Sequence, residues 1–262
     1  MTPVTVEFDH TGHDGLAVVT IDHPPLNLYD DALRESLLSA VNRLEAESPR
    51  AVLLRSEGRV VTGGVDVSLF DRLEGPAASA ELFRGMIDLA QRIEALPCPT
   101  VYAAHALCLT WGFEFALACD LIIAAPDAAF GLIEATVGLT PAFGGTQRLA
   151  ERAGTGRARE FVMTAGRYSA ETLHSWGVVN EVLPADGFSD AALEYAGRLA
   201  AGPTLAHAAT KAIIRAYRDE GVSGADKIAP EVAGALFDTE DLLGALRSFL
   251  TEGHGRAKFT GR

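Results

Sequence analysis

Between Ala104 and Leu149 the chain is almost wholly apolar and repeatedly interrupted by glycine, and only four acids fall inside it: Glu114, Asp120, Asp127 and Glu134. Such a stretch has to form the interior of a folded body. The two glutamates are its anomaly. Glu114 stands among Trp111, Phe113, Phe115 and Leu117, and Glu134 directly follows Leu132 and Ile133. A charge in such surroundings is costly to desolvate. Glycines beside both glutamates let backbone approach a ligand, so the pair reads as candidate acid/base machinery. The plain alternative is that each glutamate caps a helix or faces solvent, the usual place for an ionisable residue.

Around this stretch strands and helices alternate. Val4, Val6 and Phe8 alternate with polar residues, and Leu16 to Ile21 is a nearly continuous apolar run. Asp30 or Asp31 is placed to cap a helix whose apolar face is Leu33, Leu37, Val41 and Leu44. Ala51 to Ser56 reads as a buried strand. Leu82, Met86, Leu89, Ile93 and Leu96 mark a long helix that Pro97 and Pro99 stop. Thr100–Ala104 and Leu121–Ala125 read as strands on either side of a helix that contains Gly112. The alternation indicates a layered α/β architecture. Beyond Gly144-Gly145 the pattern turns helical, with segments over 147–153, 157–164, 170–176, 189–201, 204–220 and 239–251, interrupted by a strand over 178–182. The expected division is an α/β core over 1–185 and a helical region over 186–262, working as one unit.

With 48% apolar and 22% charged residues, the chain has the composition of a soluble domain with a substantial core. Its net charge of −13 and lack of a basic cluster argue against a nucleic-acid partner. No apolar run reaches the roughly 20 residues that span a bilayer, and the acidic stretch from Met1 to His10 does not resemble a secretory signal. Cys98, Cys108 and Cys119 lie in apolar context. They read as small reduced core residues, which fits a cytoplasmic setting.

Several catalytic and binding motifs are missing. The sequence has no GxxxxGK[ST], HExxH, CxxC or GxSxG. Gly154-Thr155-Gly156 reads as a turn between helices, and His105 as a structural histidine. Three patterns remain. The first is Val61-Thr62-Gly63-Gly64-Val65-Asp66. The second runs from His105 through Thr110-Trp111-Gly112-Phe113-Glu114 to Asp120. The third starts at Phe130-Gly131-Leu132-Ile133-Glu134 and continues from Gly138 through Ala142-Phe143-Gly144-Gly145-Thr146-Gln147-Arg148-Leu149.

In order and spacing these patterns resemble the signatures of the enoyl-CoA hydratase/isomerase family, the crotonase superfamily, across essentially the whole chain. The resemblance implies a spiral of β-β-α turns with a helical C-terminal trimerisation region, assembled as a homotrimer or a dimer of trimers. It implies a coenzyme A thioester as substrate. No separate cofactor and no metal is implied, the coenzyme A being part of the substrate. It also implies an oxyanion hole made by the backbone N–H groups of Val65 and Trp111, with Gly63, Gly64, Asp66 and Ala142 along the substrate. Asp66 itself reads as an organiser of its loop. Glu114 and Glu134 fall where hydratases of the family carry two catalytic glutamates. Water activation is assigned to Glu114, and proton transfer to Glu134, because Leu132 and Ile133 would raise its pKa.

The implied activity is syn addition of water to a trans-2-enoyl-CoA. Isomerisation of an enoyl-CoA, other acyl-CoA chemistry, or acyl-CoA binding without turnover are the alternatives. The sequence departs from the family pattern in places. Many members have three glycines where this chain has Thr110-Trp111-Gly112, so the Trp111 indole must enter either the acyl pocket or the core. Leu132-Ile133 replaces a common glutamine-proline pair, and Ala142 a common glycine. Lys211, Arg215, Lys258 and Arg34 are candidates for the coenzyme A phosphates.

Overall fold

The computed structural model describes residues 2–262. Strand β1 (Val4–Glu7) forms a hairpin with β2 (Leu16–Ile21), and helix α1 (Asp31–Glu47) follows. The Asp30 side chain caps α1 by accepting a hydrogen bond from the Leu33 amide at 2.8 Å. Next come β3 (Ala51–Ser56), the single turn α2 (Ser68–Asp71), α3 (Gly75–Ala95) and β4 (Thr100–Ala104). The central stretch supplies β5 (Cys108–Leu109), α4 (Trp111–Ala118), β6 (Leu121–Ala124) and β7 (Ala129–Gly131). The remaining elements are α5 (Gly145–Ala153), α6 (Thr155–Thr164), β8 (Arg167–Ser169), α7 (Ala170–Ser175), β9 (Glu181–Val182), α8 (Phe188–Ala200), α9 (Thr204–Ala235) and α10 (Glu240–Glu252).

The main sheet has the order β1-β2-β3-β4-β6-β9, parallel throughout except for the β1–β2 hairpin. Both of its faces are covered, which explains why β2 and β3 read as unbroken apolar runs. Ala17, Val19, Val52, Leu54, Tyr102 and Ile122 face the cluster shared with α1, α3 and α4. The alternate residues Leu16, Val18, Leu53, Val101 and Ile123 face α8 through Phe188, Ala192 and Ala196. A smaller sheet, β5-β7-β8, lies along the spiral. Isolated parallel bridges Tyr29–Val65 and Thr62–Cys108 continue its stacking. Each coil thus contributes a strand to the main sheet, a short extended segment beside the small one, and a helix. This is the crotonase-type spiral, followed by a helical C-terminal region.

The sequence reading requires some amendment. The strand expected over 178–182 is only Glu181–Val182, because Val178 and Val179 turn to donate their amides to the Leu173 carbonyl. The helix expected over 204–220 ends at a break: Gly221 has φ 71° and ψ −169°, and α9 resumes beyond it. Strands β5, β7 and β8, of two or three residues each, are too short to leave a periodic signal.

Candidate active site

Helix α4 carries Glu114 into the interior. All eight of its residues are buried, so it is apolar on every side, as a central helix must be. Glu114 is 3% exposed. Its Oε2 accepts two backbone hydrogen bonds, from Phe143 at 2.9 Å and Gly145 at 2.8 Å. Those amides belong to the turn Phe143-Gly144-Gly145, which enters α5. Gly144 has φ 100°, and a Cβ on Gly145 would lie 2.6 Å from Glu114 Cγ, so both positions need glycine. Behind the turn Arg148 is buried and paired with Glu94 at 3.0 Å, and Arg218 of α9 holds the other Glu94 oxygen at 2.7 Å.

Glu134 opens a short 3₁₀ turn, Glu134–Val137, and faces the same cavity, with its Oε2 buried and without a partner among the described residues. Burial raises the Glu114 pKa to about 8, and the nearby Glu134 charge adds to the rise, against the opposing pull of the two amides and Arg148. Burial raises Glu134 to about 7. Desolvation therefore acts on both carboxyl groups and is stronger at Glu114. It does not single out Glu134 as the acid.

The cavity between them has a volume of about 200 Å³. Gly63, Gly64, Val65, Thr110, Trp111 and Ala142 line the side near the carboxyl groups. Val67, Phe70, Phe83, Met86, Val137 and Leu139 form an apolar wall drawn from the loop before α2, from α2 and α3, and from the segment after Glu134. Among the described residues, the amides of Val65 and Trp111 donate no hydrogen bond. Trp111 is the first residue of α4, where amides have no partner within the helix and carry partial positive charge. The Trp111 indole turns into the core. Its Nε1–H donates to the Asn27 carbonyl at 3.3 Å, and its ring packs on Tyr29 and Phe115.

Other expected residues lie elsewhere. Asp66 does not line the cavity. Its side chain accepts from the Ser68 amide at 2.9 Å, and its own amide donates to the Tyr29 carbonyl, the contacts of a loop organiser. Lys211 is engaged by Asp120 at 2.7 Å, Arg215 donates to the Glu94 carbonyl, and Arg34 pairs with Asp31. Neither these three nor Lys258 lines the cavity. The sequence reading missed the amides of Phe143 and Gly145, the Arg148–Glu94 pair, and the wall residues Phe70, Phe83 and Met86. Only the glycine doublet at 144–145 gave a signal for the first of these.

Comparison with known proteins gives a consistent result. The enoyl-CoA hydratase/isomerase family model matches residues 11–258. A protein of Bacillus subtilis called "Probable enoyl-CoA hydratase" is 32% identical over 242 residues, 90% of this chain and 92% of that protein. An indene-carboxyl-CoA hydrolase of Mycobacterium tuberculosis is 33% identical over 202 residues, 77% of this chain and 81% of that protein. The crystal structure of enoyl-CoA hydratase from Bacillus anthracis superposes with a TM-score of 0.90 at 25% identity, covering 99% of this chain and 100% of that one.

Proposed function

The chain belongs to the enoyl-CoA hydratase/isomerase family, and from that premise we propose that its cavity adds water syn across the 2,3 double bond of a trans-2-enoyl-CoA. The observation that carries this reading is the convergence of two desolvated carboxyl groups, Glu114 and Glu134, on one cavity that also holds two unpaired backbone amides. The Val65 and Trp111 amides receive the thioester oxygen and stabilise the enolate charge that develops there. Water adds to the β-carbon and gives a proton to Glu114, in the form of the pair whose one shared proton lies on Glu134, and the enolate takes its α-proton from Glu134. Because burial raises Glu114 the more, this is the minor of the two one-proton forms. Proton exchange with solvent restores the starting pair. Buried carboxyl groups that repel one another share a single proton over the neutral range, the state this chemistry needs.

The volume and its aromatic wall favour short acyl groups. The exposed apolar residues Ile214, Tyr217, Phe237, Phe249 and Leu250 on and beside α9 and α10 are the contacts assigned to a homotrimer. The test is to follow the conjugated enoyl-thioester absorbance as the protein is added to trans-2-enoyl-CoAs of graded length. Loss of that absorbance, with 3-hydroxyacyl-CoA as product, is expected. Persistence of the absorbance at every length, with turnover of a 3-enoyl-CoA or hydrolysis of the thioester instead, would replace hydration by isomerase or hydrolase chemistry.

A further inference from the structure

Thr110 immediately precedes α4, and its backbone has φ 47° and ψ −120°. A β-branched residue rarely takes this conformation, whereas glycine takes it freely. The residue is 7% exposed, and its Oγ1 is buried without a hydrogen-bond partner among the described residues. Strained backbone and an unsatisfied hydroxyl both lower stability, and glycine would avoid both. The position of the side chain accounts for their presence. Thr110 lines the cavity, and a Cβ built on Gly64 would lie 3.0 Å from Thr110 Oγ1, which places the hydroxyl over the Gly64 α-carbon. One unpaired amide belongs to the Gly64–Val65 peptide and the other to the Thr110–Trp111 peptide. The hydroxyl therefore lies against Gly64, whose carbonyl side forms the first peptide, and is carried by the residue that begins the second.

Resting on the reading of those amides as the holders of the thioester oxygen, we infer that the Thr110 hydroxyl is a third hydrogen-bond donor to that oxygen. Its hydrogen rotates freely because no protein group engages it. A donor to an oxygen that gains charge in the transition state acts more strongly there than in the ground state, so its effect falls on kcat more than on KM.

Thr110→Val keeps the branched shape and removes the donor, Thr110→Ser keeps the donor, and Thr110→Gly removes both donor and strain. The probes are a trans-2-enoyl-CoA for turnover and acetoacetyl-CoA, whose bound enolate has its own near-ultraviolet band. Thr110→Val and Thr110→Gly are expected to lose about 10²-fold in kcat with KM little changed, as for loss of one oxyanion donor. Both should also lose the enolate band, with Tm equal to or above that of the parent, and Thr110→Ser should recover most of both signals. Because glycine adopts this backbone without strain, Thr110→Gly reads the hydroxyl even where Thr110→Val fails to fold. Parent-like kcat and enolate band in Thr110→Gly would overturn the inference while leaving the hydratase reading intact. A parent protein that neither turns over nor binds either thioester would overturn both.

Discussion

Glu114 concentrates the tension of the molecule in a single residue. Its ordinary pKa of 4.5 becomes about 8 in the folded state. Between these values the native state holds more protons than the unfolded chain, so stability falls as pH rises. The contribution is whole below about 4.5 and lost by about 8. Glutamine at this position can still accept from the Phe143 and Gly145 amides through its carbonyl. Glu114→Gln is therefore expected to fold, to lose hydration by about 10²-fold or more as a missing acid/base group does, and to flatten the decline of Tm as pH rises from about 4.5 to about 8, leaving only the part due to Glu134. Melting curves of parent and variant across that range check this, and parallel slopes would count against a buried, proton-holding Glu114. Hydration itself needs one carboxyl group ionised and the other protonated. Its kcat/KM should thus peak between the two apparent values of about 7 and about 8, and fall on either side. A profile that is flat from about pH 5 to about pH 9 would contradict the pair.

At the scale of elements, the entry to α5 is built around α4. The amides of Phe143 and Gly145 fix the Glu114 carboxyl group, and they can approach it only because residue 145 has no side chain. Gly145→Ala would force a methyl group against Glu114 Cγ. Overpacking of this kind costs about 1–3 kcal/mol, and the displaced carboxyl group should lower kcat more than tenfold. Chemical denaturation paired with turnover separates the two effects. The other end of α4 depends on Arg152, a partly buried cation that donates to the carbonyls of Leu117, Cys119 and Asp120, where the helix presents acceptors with no partner within the helix. Arg152→Met leaves those carbonyls unsatisfied. The expected destabilisation is about 2–4 kcal/mol by the same denaturation measurement.

Over the whole molecule, one arginine ties sequence-distant parts together. Arg50, in the turn between α1 and β3, donates to the Gly202 carbonyl, to Thr204 Oγ1 at the start of α9, and to the Phe259 carbonyl of the C-terminal tail. Asp241 holds the same tail from α10, accepting from the amides of Thr260 and Gly261 at 2.7 and 2.9 Å. Arg50→Ala should leave the cavity intact and free the tail, so limited proteolysis is expected to cut after Lys258 sooner while turnover is kept. The cavity is likewise assembled from distant parts: Met86 of α3 faces a wall supplied by residues 63–70 and 133–143. Met86→Ala should shift the preferred acyl chain to longer lengths, read as a change in the rank order of kcat/KM across the trans-2-enoyl-CoA series.

The sequence by itself determined a layered α/β chain with most of its helices and long strands, and it set Glu114 and Glu134 apart as candidates, because each of these leaves a local mark; the spiral was expected only from the resemblance of the three motifs. Buried parallel strands read as apolar runs, Asp30 caps α1 beside an apolar face of helical period, and a charged residue inside an apolar stretch is conspicuous without any contact being known. The strands β5, β7 and β8 left no such mark, since two or three residues carry no period and their pairing depends on neighbouring coils. Only the tertiary structure decided that the Trp111 indole turns to Asn27 and Tyr29, that the Phe143 and Gly145 amides hold Glu114, and that burial raises the Glu114 pKa above that of Glu134. Each of these outcomes is set by groups distant along the chain, and neither composition nor spacing records where a folded chain brings them.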